Sequence, residues 1–195
     1  MPCEVTFPEL FQTERLVLRR YRSADGAGIL QLVDKNRARL VQNFSPMAKG
    51  LIQLEDVKSF IEDKTVQWNA GRAFCYGIWF KISKQQIGQL QVKNVMWDVP
   101  SAELSYFIDR SSERQGFTTE AISGILRVAL GQLDFKRIFV RIIPSNQGSI
   151  ALANKLGFKH EGLHRNAFRC GFGELHDVHY FSVTTEDFRT GFTNL

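Results

Sequence analysis

The chain has 195 residues, 44% hydrophobic and 23% charged, with 25 Lys and Arg against 20 Asp and Glu for a net charge of +5. That is the length and balance of one soluble domain with a substantial core, and no window approaches the roughly 20 apolar residues of a membrane span. Met1-Pro2-Cys3-Glu4-Val5 lacks the basic-then-apolar pattern of a signal peptide, and Cys3, Cys75 and Cys170 are scattered thiols without a paired motif, so a reducing, cytoplasmic setting is expected.

Residues 14–22 alternate at the period of a strand. Arg15, Arg19, Arg20 and Arg22 cluster there, but interleaved with Leu16 and Leu18 they form a solvated strand face rather than a nucleic-acid stripe. Ser23-Ala24-Asp25 is a turn and helix cap, after which Ile29, Leu32 and Val33 suit a buried helix face. Residues 37–52, with Asn43, Ser45, Pro46 and Gly50, read as a loop. Leu54, Val57, Ile61 and Trp68 mark a second amphipathic helix that ends near Gly71. Strands follow at 73–83 and 86–96, joined by a polar turn around Ser83-Lys84-Gln85, and Asp98-Val99-Pro100 turns the chain into the alternating run Glu103–Asp109. Beyond Arg114-Gln115-Gly116-Phe117-Thr118-Thr119, residues Ile122, Ile125, Leu126, Ala129 and Leu133 repeat at helical spacing. Lys136–Ile143 is apolar on both faces, as a central strand is. Pro144-Ser145-Asn146-Gln147-Gly148-Ser149 opens a short helix ending at Asn154-Lys155-Leu156-Gly157-Phe158. Two more strands, near 158–163 and 175–184, flank a loop with Gly171 and Gly173. The order predicts an α+β (α/β sandwich) fold with a mixed sheet, the strands around the central helix being parallel. The 16 phenylalanines predict a core or cleft rich in rings.

The glycine turn carries the first functional signal. A turn between a strand's end and a helix's start is a ready anion site, because the first helical N–H groups lack partners and glycine lets a phosphate approach the backbone. Together with the Asn-x-x-Ser helix and Leu-Gly-Phe, the strand–turn–helix–strand run resembles the coenzyme-A-binding core of the GNAT acetyltransferases. Within them it is similar to the Rim-type (RimJ/RimL-like) ribosomal-protein N-terminal acetyltransferases. Thr13-Glu14-Arg15-Leu16-Val17-Leu18-Arg19 looks like that branch's opening strand, and the likeness covers residues 8–188 as a single domain.

The resemblance implies a GNAT fold with a mostly antiparallel sheet, a parallel central strand pair and flanking helices. It implies acetyl-CoA as cosubstrate, no metal, and direct transfer to a primary amine, most readily the N-terminal amine of a ribosomal protein. A homodimer is left open, and nucleic acid enters only through a ribosomal substrate. Glu103 is the candidate base, since the Rim type places a functional carboxylate at this strand position. A surface or ion-paired glutamate is the plain alternative. Tyr106, Phe107, Ile108 and Asp109 are expected to run beside the pantetheine arm, which can add to a strand edge. Arg114, Gln115, Gly116, Phe117, Thr118 and Thr119 would hold the pyrophosphate. Asn146 and Ser149 share the entrance of a helix. Ser149 is the candidate acid, because the tyrosine that many GNAT enzymes carry before Lys155-Leu156-Gly157-Phe158 is replaced here by Ala153. Asn146 as an ordinary helix cap, with Ser149 an early helical residue, is the competing reading.

Glu113 and Thr118 depart from the usual pyrophosphate loop, and a carboxylate near phosphate repels unless it points away. Asn43, Phe44 and Ser45 are candidate acceptor contacts, with filler of a mobile loop the competing role for each. His160, His164, His176 and His179 fall in the last forty residues, but they complete no recognised ligand motif, and His176 and His179 should face opposite sides of their strand. Three rivals stay open: acetylation of a small amine (polyamine, amino sugar or antibiotic), a non-catalytic acyl-CoA-binding or sensing module, and, behind these, a nucleic-acid-binding module, which steep salt dependence without a response to coenzyme A would mark.

Overall fold

In the computed structural model, which describes residues 6–191, one sheet runs through the molecule. Its strands are β1 (Leu10–Gln12), β2 (Leu16–Arg20), β3 (Phe74–Phe80), β4 (Gln86–Met96), β5 (Ser101–Ile108), β6 (Arg137–Ile142), β7 (Lys159–Arg169) and β8 (Leu175–Thr184), in the spatial order β1-β2-β3-β4-β5-β6-β8-β7. All neighbours are antiparallel except β5 and β6. The expectations for Met1–Val5 and Cys3 lie outside the described residues. No described helix is long and apolar enough to cross a membrane.

Alternation along β3 builds a core on each face. Phe74, Tyr76 and Ile78 join Leu16, Leu18 and Leu90 under α4 (Phe117–Leu126), whose Ile122, Ile125 and Leu126 are fully buried. Cys75 and Trp79 join Ile29, Leu32, Val57 and Ile61 beneath α1 (Gly26–Asn43) and α3 (Leu54–Asn69). The phenylalanines cluster as expected: Phe7 contacts both Phe74 and Phe135, and Trp68 packs edge-on against Phe74.

Residues 37–52 are not a loop. The helix α1 runs through to Asn43, and α2 spans Ser45–Gly50. Pro46 sits in the first turn of α2, where its missing N–H costs nothing, and Leu40, Met47 and Ala48 bury an apolar face that the polar punctuation concealed. Likewise β7 extends to Arg169, well past 163. Three arginines of the cluster are ion-paired, Arg15 on Glu120, Arg19 on Asp25 and Arg20 on Glu9.

The parting of two parallel strands opens the groove of the site. The parallel β5 and β6, joined by the crossover through α4 and a π-helical turn at Arg127–Gln132, pair only at Ser101↔Arg137, Ala102↔Ile138 and Glu103↔Phe139. Beyond Glu103 the strands part, and the edge of β5 from Leu104 to Ile108 faces a groove instead of a partner. The far side of that groove is α5 (Gln147–Lys155), which follows β6.

Candidate active site

A cavity of about 540 Å³ fills the gap between the parted strands. Of the predicted coenzyme contacts, Tyr106, Phe107 and Ile108 line it from β5, Arg114, Gly116, Phe117, Thr118 and Thr119 from the turn, and Asn146 and Ser149 from α5. Gly116 is the N-cap of α4 with φ +82°, a conformation that side chains with a Cβ rarely adopt, and it makes no side-chain cap. The leading N–H groups of α4 are therefore left for an anion. Arg15 anchors the turn from outside: its Nη1 donates to the Gln115 carbonyl at 3.1 Å, and its Nε and backbone N–H both donate to the Glu120 carboxylate at 2.7 Å.

Two predicted contacts turn away. Asp109 is buried and binds the framework: its carboxylate accepts from Lys35 Nζ at 2.6 Å, Ser111 Oγ at 2.9 Å and Asn36 Nδ2 at 3.2 Å. Burial raises the pKa of Asp109, but those hydrogen bonds outweigh it and hold the group below its usual value. Gln115 donates its side-chain amide to the Ser111 carbonyl at 3.0 Å. Glu113 does face the cavity, but its carboxylate is bound by Arg39 from α1, which also donates to the Ile108 carbonyl. The repulsion expected of Glu113 is thus neutralised by a cation that sequence reading had no means of finding.

A second cavity, of about 420 Å³, lies at the other end of the gap and contains Glu103. The Glu103 side chain is 4% exposed and its oxygens are fully engaged. Oε1 meets Arg141 Nε at 3.1 Å and Lys93 Nζ at 3.3 Å, and Oε2 meets Asn94 Nδ2 at 2.6 Å and Arg141 Nη2 at 3.1 Å. Burial lowers the pKa of Arg141, but contact with Glu103 outweighs it and raises the group above its usual value. Phe44, Met47, Phe60, Val140 and Ile142 supply apolar walls, and Asp63 and Lys64 add charge at the α3 side. Asn43 and Phe44 line the cavity. Ser45 is not among its lining residues and sits instead against Gly171.

The two cavities meet at Asn43, Phe44, Tyr106, Ile143, Asn146 and Ser149. The Asn-x-x-Ser run forms the helix cap of the competing reading, and its serine side chain also reaches across the groove. Asn146 Oδ1 caps the helix by accepting from the Ser149 backbone N–H at 3.1 Å, while the Ser149 side chain hydrogen-bonds the Tyr106 phenol. Burial pushes the Tyr106 phenol up to about 12, with the Ser149 hydrogen bond opposing, so it stays protonated at neutral pH. Ala153 is buried and has no hydroxyl. A phenol missing from α5 is thus present on β5, across the groove, where the sequence pattern suggested only backbone pairing.

The histidines divide as their alternation requires. His179 Nδ1 lies 2.9 Å from His160 Nε2 on one side of the β7–β8 pair, while His176 lies near Glu174, their Nε2 and Oε2 being 3.5 Å apart.

The family described as the acetyltransferase (GNAT) domain matches residues 15–159. An uncharacterized N-acetyltransferase, p20, of Bacillus licheniformis is 28% identical over 180 residues, covering 92% of this chain and 98% of that protein. Among solved structures, RimL, a ribosomal L7/L12 alpha-N-protein acetyltransferase in complex with coenzyme A, superposes with a TM-score of 0.83 at 22% identity, covering 90% of this chain and 98% of the other. The microcin C7 self-immunity acetyltransferase MccE, in complex with acetyl-CoA and AMP, gives 0.83 at 18% identity, over 92% of this chain and 98% of the other.

Proposed function

The chain belongs to the acetyltransferase (GNAT) family and is an acyltransferase, and on that premise we propose that it moves the acetyl group of acetyl-CoA to the N-terminal amine of a protein, with a ribosomal protein the favoured acceptor. The observation that carries the reading is the meeting of two cavities at Tyr106 and Ser149, one ending at an uncapped helix N-terminus and the other containing a buried carboxylate. A phosphate-bearing thioester suits the first and an ammonium the second.

In this reading the pyrophosphate sits over the N–H groups of α4, and the pantetheine amides pair with the free edge of β5. The thioester then lies at the junction of the two cavities. The neutral amine attacks the thioester carbonyl carbon, the carbonyl oxygen takes up the developing charge, and the carbon–sulfur bond breaks. The leaving sulfur receives a proton from Ser149, whose hydroxyl is partnered by the protonated Tyr106 phenol, and the proton taken up at Glu103 returns through water to restore that hydroxyl. The amine's proton leaves toward Glu103 through water. An α-amino group titrates near 7.7–8.0, so about a tenth of it is already neutral at pH 7 and the demand on Glu103 is modest. Atoms balance as thioester plus amine giving amide plus thiol, with no covalent enzyme intermediate. Cys75 agrees with this, since it is buried in the core and burial pushes its thiol up to about 12.

The likeness to RimL, a ribosomal L7/L12 alpha-N-protein acetyltransferase, supports a protein N-terminus. The second reading, a small amine, is favoured by one observation: about 420 Å³ is room for a compact acceptor. Purified protein with acetyl-CoA, offered N-terminal peptides, polyamines and aminoglycosides with thiol release as readout, separates them. Turnover on peptides supports the proposal, and turnover on small amines alone moves the acceptor to the second reading. Tight coenzyme binding without turnover on any amine indicates a sensing module.

A further inference from the structure

The turn between β7 and β8 brings together three side chains that neither cavity uses. Cys170 Sγ, a carboxylate oxygen of Glu174 and a ring nitrogen of His176 all lie within 4.8 Å of one another. Cys170 is 4% exposed, and His176 Nε2 is buried with no hydrogen-bond partner among the described residues. Its nearest acidic atom, Glu174 Oε2, is 3.5 Å away, beyond a good hydrogen bond. A buried imidazole nitrogen without a partner is unusual, because burial of an unpaired polar atom is costly.

We propose that Cys170, Glu174 and His176 form a three-ligand site for a divalent transition metal of the zinc class. A thiolate, an imidazole and a carboxylate are the donor set that suits this ion, with a water in the fourth position. The charges close: thiolate and carboxylate together cancel the two positive charges of the ion, so the unit is neutral beside the buried Cys170. Binding displaces the Cys170 thiol proton to solvent and forms the sulfur–metal bond. Tetrahedral ligation needs ligand atoms roughly 3.3–3.7 Å apart, a closure of about 1 Å. Glu174 is exposed and free to swing in.

The backbone already fixes the loop. Cys170 N donates to the Glu174 carbonyl at 2.9 Å and Gly173 N to the Cys170 carbonyl at 3.0 Å. The neighbouring cations are occupied elsewhere, Arg169 Nη1 on the Gly173 carbonyl at 2.7 Å and Lys49 on the Gly171 carbonyl. The same loop docks on the α1–α2 junction, where Gly171 N donates to the Gln42 carbonyl at 3.2 Å. Asn43, Phe44 and Met47 of that junction line the acceptor cavity, so the ion would clamp one wall of it. The site stands or falls independently of the acceptor assignment.

The test uses the full chain in a Cys3→Ser background, stripped with chelator under a phosphine reductant and titrated with zinc and with cobalt chloride. Expected are one metal per chain after gel filtration, about one proton released per metal, a thiolate-to-cobalt band in the near ultraviolet, and a raised Tm. Cys170→Ser should remove the band. His176→Gln should weaken binding by more than the roughly tenfold that a supporting residue costs, and His160→Gln should leave it intact. Should Cys170→Ser fail to fold, the cobalt spectrum of the parent protein decides. Absence of metal or of the thiolate band, or binding abolished by His160→Gln, overturns the proposal. The last outcome would assign the metal to the His160–His179 pair, and the first would leave His176 and Glu174 as a simple ion pair.

Discussion

Arg141 on β6 reaches across the opening between the parting strands and grips both oxygens of Glu103 on β5, Nε to Oε1 at 3.1 Å and Nη2 to Oε2 at 3.1 Å. The grip lies at the last paired residue of the parallel register, so it also marks where the groove begins. A carboxylate has about four lone-pair sites. Arg141 takes two, and Asn94 and Lys93 one each. Lys93 makes the longest of these contacts, at 3.3 Å, and it is the one an incoming ammonium can displace.

Glu103→Gln is therefore expected to lower kcat/KM for the amine toward the lower end of the roughly 10²–10⁴-fold range of a positioned base, with a smaller loss at high pH, where the amine is neutral unaided. It should also cost stability, because Arg141 loses its partner. The Arg141 side chain is 30% exposed, so the loss should fall below the ~3–5 kcal/mol of a fully buried broken pair. Lys93→Gln should lower the amine KM without lowering Tm. A Glu103→Gln variant with unchanged rate at every pH would remove Glu103 from the chemistry.

Ser149→Ala and Tyr106→Phe are expected each to reduce kcat on the order of 10²-fold while leaving coenzyme affinity nearly unchanged. If the two hydroxyls act as one relay, the double variant is no slower than the worse single one. With Tyr106 protonated up to about pH 12, its ionisation should contribute no alkaline fall in rate below about pH 11. Steady-state kinetics with calorimetric coenzyme titration check both points. Additive losses would show two separate roles.

Gly116→Val places a β-branched residue at φ +82°, with its Cβ 3.3 Å from Arg15 Nη2. Strain of this kind costs of order 1–3 kcal/mol, and coenzyme affinity should drop by about tenfold or more in a protein that still folds. Glu113→Gln frees Arg39 toward the cavity and should strengthen coenzyme binding, most at low salt, while Arg39→Gln should weaken it. Equal affinity across all three variants would move the phosphate site elsewhere.

Stability should decline at both pH extremes for identifiable groups. Burial pushes Cys75 and Tyr106 each up to about 12 and raises Tyr76 as well. From about pH 9, where an unfolded thiol ionises, the unfolded chain binds fewer protons than the native one, so stability is lost as pH rises to about 12. On the acid side, hydrogen bonding by Lys159 and Thr184 holds Asp187 down to about 2. Burial raises the Glu120 pKa, but bonds from Thr13 and Arg15 outweigh it and lower the group. Their contribution is complete above about pH 4.5 and fades as pH falls toward 2. Urea melts from pH 2 to 12 measure this, and Cys75→Ala should flatten the alkaline slope.

The sequence alone determined the order of most elements and the place of the glycine turn, because both are written in local physics. Period-two runs such as Glu103–Asp109, helical spacing from Ile122 to Leu133, and a glycine at a helix start are properties of neighbours in the chain. The helices over 37–52 escaped this reading, because Pro46 and Gly50 punctuate them and their apolar residues make sense only against the sheet. Tertiary structure decided the electrostatics. Arg39 beside Glu113, Lys35 on Asp109, Arg141 and Lys93 around Glu103, and Tyr106 against Ser149 join residues tens of positions apart in most cases, on different elements. The same is true of the walls that turn Phe44 and Met47 toward the carboxylate. Periodicity says which face a side chain takes, but the sign and distance of its neighbours follow from register and strand order. Here the deciding event is the parting of β5 from β6 after three paired residues.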